Sequence, residues 1–162
     1  MHTKEIAATL AALFGELTEG PPSSGGYVLN PGDPGLLRSL ERLSSDAASV
    51  LTRTGSSIAA HVDHLRYGLS LMNRWSQGEN PFGAADWNDS WKKPRVSEAE
   101  WRRLRDQLRD EATRWRETLQ TPREVDAIGL SGLIGSIAHL AYHLGAIRQI
   151  DAATRGPAEQ GN

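Results

Sequence analysis

The stretch HLAYHLGAIRQI, His139 to Ile150, places two histidines four residues apart inside an apolar run. Residues three or four apart lie one above the other on a helix, so these imidazoles share a face and can grip one ion. A second close pair, His61 and His64, lies in AAHVDHL, and the two pairs account for four of the five histidines. Helical bundles build metal sites by bringing a residue of one helix opposite a pair on another. Three imidazoles with a fourth position left for water or substrate is the pattern of catalytic zinc, whereas a closed shell is that of structural zinc. The competing reading is a set of core histidines that satisfy one another by hydrogen bonds.

Other chemistries are poorly represented. The chain has no cysteine, which excludes thiolate ligands, disulfides and a thiol nucleophile of its own and fits a reducing compartment. There is no HExxH and no Glu-x-x-His of the di-iron kind. GLSGL falls short of a nucleophile elbow because its fifth position is Leu133. No Ser/His/Asp arrangement or carboxylate pair stands out, so no catalytic acid, base or nucleophile is assigned. Arg148, a turn beyond the histidines, suits an anionic group or, more simply, a solvent-exposed salt bridge.

These residues need helices to position them, and helix signals are frequent. An N-terminal amphipathic helix carries Ile6, Leu10, Leu13, Phe14 and Leu17 as its apolar stripe. After a Pro/Gly/Ser-rich loop, Asp33-Pro34 reads as an N-cap and first-turn proline, followed by Leu36, Leu40, Leu43, Ala47 and Val50 at helical spacing. A serine cap opens the helix of the first histidine pair, with Ile58, Val62, Leu65, Leu69 and Met72 buried. His61 and His64 are not separated by its helical wheel. Ser76 to Arg95 is a long irregular segment whose Trp87 and Trp91 are expected to pin it to the bundle.

Ser97 and Glu100 form a capping box for a helix with Trp101, Leu104, Leu108, Ala112, Trp115 and Leu119 inward. Thr121 to Glu124, with Pro122, reads as a second capping box for a final helix reaching about Ala153. That helix buries Leu133, Ile137, Leu140, Leu144 and Ile147. Gly132, Gly135 and Ala146 share the histidine face, and interior glycine costs about 1 kcal/mol relative to alanine. Either close helix packing or a metal and its ligand needs that space.

No stretch alternates convincingly as a strand, so the fold is all-α. It is expected to be a four-helix bundle with an additional N-terminal helix and a long loop before the third bundle helix, in one domain over residues 1–162 with a polar tail from about 154. The formal charge of -2 gives no footprint for nucleic acid or an anionic membrane surface. No apolar run approaches the roughly 20 residues of a membrane span, and the N-terminus lacks a cleavage-site pattern; a cytoplasmic protein is expected.

HLAYHLGAIRQI resembles the H-x-x-x-H-x-G-x-I signature of the DinB-like superfamily, the damage-inducible-B group of four-helix metal-binding proteins. In that group a third histidine follows a helix-starting Ser/Thr by seven residues and precedes an aliphatic residue, as His64-Leu65 follows Ser57. The resemblance implies His64, His139 and His143 as metal ligands, with His61 as neighbour, alternative or fourth donor. The glutamine that often follows the motif's glycine is Ala146 here. The implied ion is zinc or nickel, with iron and manganese as alternatives. Some members are similar to metal-dependent S-transferases or isomerases that use a low-molecular-weight thiol, such as mycothiol or bacillithiol, against an electrophilic small molecule; others bind metal or ligand without known catalysis. Pairing as a homodimer is also common in the group.

Overall fold

A computed structural model describes residues 3–158, which contain six α-helices and no strand. They are α1 (Thr3–Glu19), α2 (Gly35–Glu41), α3 (Ser45–Ala48), α4 (Ile58–Ser76), α5 (Glu98–Gln120) and α6 (Ala127–Ile150). The four long helices close a ring: α5 packs between α1 and α4, and α6 meets α1 and α4 from the opposite side. One core runs through the ring, with Phe14, Leu17, Ile58, Val62, Trp101, Trp115 and Ile147 fully enclosed. This all-α arrangement follows the apolar stripes of the sequence, since each amphipathic face must be buried against another element.

Local signals set the helix starts. Ser57 Oγ accepts the Ala60 N–H at 3.2 Å and donates to the Pro94 carbonyl at 2.5 Å, so the cap that begins α4 also ties down the loop before α5. Ser97 and Glu100 form the expected reciprocal capping box of α5. The box expected at Thr121 to Glu124 does not form. Thr121 ends α5 in an extended conformation, as the residue before a proline prefers. Asp126 caps α6 instead, its Oδ1 accepting the Gly129 N–H at 2.7 Å.

The helix expected from Pro34 to Val50 breaks into α2 and α3, and Val50 is exposed. The break leaves the Leu43 carbonyl free to accept the indole N–H of Trp101 at 2.9 Å; a fully buried tryptophan needs such a partner. Asp33 lies one residue before the Pro34 cap position of α2, and its Oδ1 accepts the Gly35 N–H at 2.8 Å. Gly35 has a φ of +70°, and a Cβ there would collide with the backbone of Glu19 and Gly20. The same Asp33 carboxylate receives Arg148 Nη2 at 2.6 Å, with side-chain exposures of 3% and 17%. The arginine's salt bridge is therefore buried, not solvent-exposed as expected, and lies away from the histidines.

Two further expectations change. Of the segment read as a polar tail from about 154, the part up to Pro157 is docked: Thr154 is fully buried, and the Pro157 carbonyl accepts a bond from Asn30 Nδ2 at 3.1 Å; residues 159–162 lie outside the described residues. α6 is also long and apolar enough to cross a membrane by length and composition, with 33% of its most apolar window buried. Its glycines, serines and histidines interrupt the apolar run without adding charge, which is why counting apolar residues misses it. Core helices share this property; here Leu133, Leu140 and Leu144 are packed in the core.

Candidate metal centre

α4 and α6 bring three imidazoles to one point. His64 Nε2 lies 3.1 Å from His139 Nε2, and His143 Nε2 lies 2.9 Å from the same atom. One nitrogen from each of His64, His139 and His143 falls within 4.8 Å of the others. His64 and His143 are buried and His139 is half-buried. The spacing arises from sequence: four residues carry α6 one turn from His139 to His143, and Ser57 starts α4 so that His64 lies nearly two turns into it.

An imidazole nitrogen carries either one hydrogen or one in-plane lone pair. His139 Nε2 therefore cannot make good hydrogen bonds to both neighbouring nitrogens, whatever tautomers are chosen. A metal ion would accept all three lone pairs. With bonds of about 2.0–2.1 Å at tetrahedral angles it would hold the nitrogens about 3.3 Å apart, close to the 3.1 and 2.9 Å that separate His139 Nε2 from its two neighbours. The cluster can hold a metal ion.

The outer nitrogens fit that assignment. His64 Nδ1 is 3.0 Å from Ser90 Oγ, and the Ser90 hydroxyl donates to the Trp87 carbonyl at 3.1 Å. His64 Nδ1–H can thus donate outward while its Nε2 lone pair faces the cluster. His143 Nδ1 is 2.8 Å from His61 Nδ1. With the His143 Nε2 lone pair turned inward, its Nδ1–H donates to His61. The structure thus brings His64, His139 and His143 together and places His61 behind His143. Carboxylate or carbonyl partners commonly perform this orienting role for metal-binding histidines.

All four rings favour the neutral form that ligation requires. Burial, followed by the charges of His139 and His61, pushes His64 down to about 4. Burial, followed by His139, His61 and His64, pushes His143 down to about 3. Burial lowers His61 and His139.

The long loop contributes more than expected. Trp91 stacks against His64 with ring centres 4.7 Å apart and meets His61 edge-on at 5.1 Å. Trp87 lies 5.7 Å from both His64 and Tyr67. The tryptophans pin the loop by packing on the histidines themselves. Sequence reasoning missed Ser90, which is only 3% exposed; its signal is a small hydroxyl residue between two loop tryptophans.

A cavity of about 400 Å³ opens beside His64 and His139 between α4 and α6. Gly132 and Gly135 line it, and Ala146 lies outside. Comparison of the chain with family models, curated proteins and solved structures gives no match.

Proposed function

We propose that this protein is a DinB-like metal protein whose His64, His139 and His143 bind one divalent ion, zinc or nickel in preference to iron or manganese, leaving one position open. The observation that carries this reading is the convergence of two nitrogens on His139 Nε2 at 3.1 and 2.9 Å, which hydrogen bonds alone cannot satisfy. Imidazole donors suit zinc and nickel, and the 400 Å³ cavity beside the cluster gives the open side room for a ligand. His61 meets the outer nitrogen of His143, which supports an outer role and a three-nitrogen shell.

The activity that best suits such a centre is transfer of a low-molecular-weight thiol to an electrophilic small molecule. A bound divalent ion supplies Lewis acidity that lowers the thiol's pKa. The sulfur then forms a bond to the electrophilic carbon, the leaving group departs with its bonding electrons, and the thiol proton passes to solvent. His64, His139 and His143 serve as ligands, His61 and Ser90 orient them, and Trp87 and Trp91 limit water at the rings. A second reading, metal or ligand binding without turnover, is favoured by a cavity lining that carries no carboxylate, lysine or arginine.

Elemental analysis of the purified, untagged protein, of His64→Ala and of His139→Ala/His143→Ala tests the centre. Near-stoichiometric metal in the parent, lost from both variants, is expected. No metal after incubation with zinc, nickel, iron or manganese would refute it. Metal-loaded protein should then conjugate mycothiol or bacillithiol to an alkyl halide; full metal occupancy without turnover would favour the binding reading.

A further inference from the structure

We propose that the cavity between α4 and α6 is a binding site for an uncharged, apolar ligand body, held open by glycines and closed at one end by His64 and His139. In the thiol-transfer reading, on which this assignment of ligand rests, that body belongs to the electrophile; the polar body of the thiol lies outside the cavity. Leu65, Leu69, Met72, Trp87 and Leu140 supply the apolar walls. Besides the two imidazoles and the indole N–H of Trp87, the lining has one polar side chain, Ser136, whose hydroxyl is already engaged: it accepts from Trp115 Nε1 at 2.9 Å and donates to the Leu133 carbonyl at 2.7 Å. A charged group placed among these walls would lose its hydration without a charged partner. An apolar group would replace water at no such cost.

A Cβ on Gly132 would meet nothing nearer than Met72 Cε and Trp75 Cη2 at 3.9 Å, and one on Gly135 would meet nothing within 4 Å. Neither glycine is demanded by close helix packing, and neither has a positive φ. Both nevertheless interrupt a long helix, where glycine is the poorest former after proline. On α4, a Cβ at Gly68 would sit at ordinary contact distance from Trp87 and His139, 3.6 and 3.7 Å away, so a larger side chain there would press on the site. Their shared consequence is empty volume beside the imidazoles. About 400 Å³ falls in the ordinary range of small-molecule pockets, roughly 300–1,000 Å³.

The test is an NMR titration of the full chain, metal-loaded and metal-free, following the Trp87 indole N–H. Toluene is the neutral probe and benzenesulfonate its charged counterpart. Toluene should give a saturable shift in both forms, with benzenesulfonate at least tenfold weaker. Gly135→Leu or Gly132→Leu should weaken toluene binding tenfold or more while metal content stays at the parent value; either change favours the helical backbone, so melting temperature provides the folding control. Absence of saturable toluene binding, equal binding of the two probes, or parent affinity in both leucine variants would overturn the inference. Toluene binding in a protein that takes up no metal would uphold the cavity assignment and remove the metal reading.

Discussion

Replacing His61 with leucine separates the inner and outer shells of the candidate centre. Leucine keeps an apolar side chain against Trp91 but removes the Nδ1 that faces His143 Nδ1 at 2.8 Å. The His143 Nδ1–H is then left in a buried position without its acceptor, a loss of about 1–3 kcal/mol. Loss of an outer-shell partner typically weakens metal affinity about 10–100-fold, equivalent to about 1.4–2.7 kcal/mol, and the two ranges agree. His61→Gln, which can offer a carbonyl oxygen in place of the ring nitrogen, should recover most of the loss. His64→Ala removes a donor outright and should empty the site at micromolar protein. Competition for zinc against a chromophoric chelator at neutral pH measures all three variants, with the thermal stability of each metal-free protein as control. If His61→Leu loses metal as completely as His64→Ala, His61 is a ligand; the shell then has four nitrogens, and the open position disappears. If His61→Leu binds zinc within threefold of the parent, the contact to His143 does not orient the ligand.

Acid should destabilise the metal-free protein over a defined range. The unfolded chain's histidines take up protons near pH 6.5, whereas His64 and His143 in the folded protein do so at about 4 and about 3. The depressed folded values leave stability undiminished above pH 6.5; it falls as the pH drops toward 4 and levels off below 3 as far as these groups are concerned. Urea midpoints between pH 7 and 4 should decline on that schedule, and His143→Leu should flatten the slope; an unchanged slope would contradict the burial of its imidazole. Asp33→Ala should cost about 3 kcal/mol, the lower end for breaking a buried ion pair, because Arg148 keeps some exposure at 17%. Metal content should stay at the parent level. A loss under 1 kcal/mol by urea denaturation would show that the Arg148–Asp33 pair behaves as a surface contact.

What was legible in the sequence divides along a physical line. The stripe from Trp101 to Leu119 is buried as read, because a helix long enough for several turns repeats its pattern and the capping box marks its start. Two serine caps and the i,i+4 histidine pair are likewise local features that act within one or two turns. The break between α2 and α3 is different in kind. It serves the indole of Trp101, 58 residues on from Leu43, and nothing near Leu43 reveals that demand. Asp126 rather than Thr121 caps α6, and Thr121 ends α5 instead, a contest between two plausible signals. His61 and His64 could not be distinguished on a wheel, since both are buried; what separates them is which nitrogen each presents to α6. Ser90 lies 26 residues from the ring it supports in a loop without periodicity, where pattern reading has nothing to count.

The division also bears on how the site is held. α4 and α6 face one another across a cavity, so at this end of the ring their glycines give up contacts that larger side chains would make. Four imidazoles, Ser90 and two loop tryptophans occupy the adjoining space, and their bonds to one another are incomplete at His139 Nε2. An ion bound to the folded chain alone stabilises it by RT ln(1 + [M]/Kd), about 4 kcal/mol at a thousandfold excess over Kd. That is a large share of the roughly 5–15 kcal/mol by which an ordinary domain is stable. A pair of helices separated by a cavity, with an incompletely bonded polar cluster at one end, would gain most where an ion joined them. The same cavity that separates α4 from α6 would leave one side of such an ion accessible, so an arrangement in which the metal matters to stability would also expose it to a ligand.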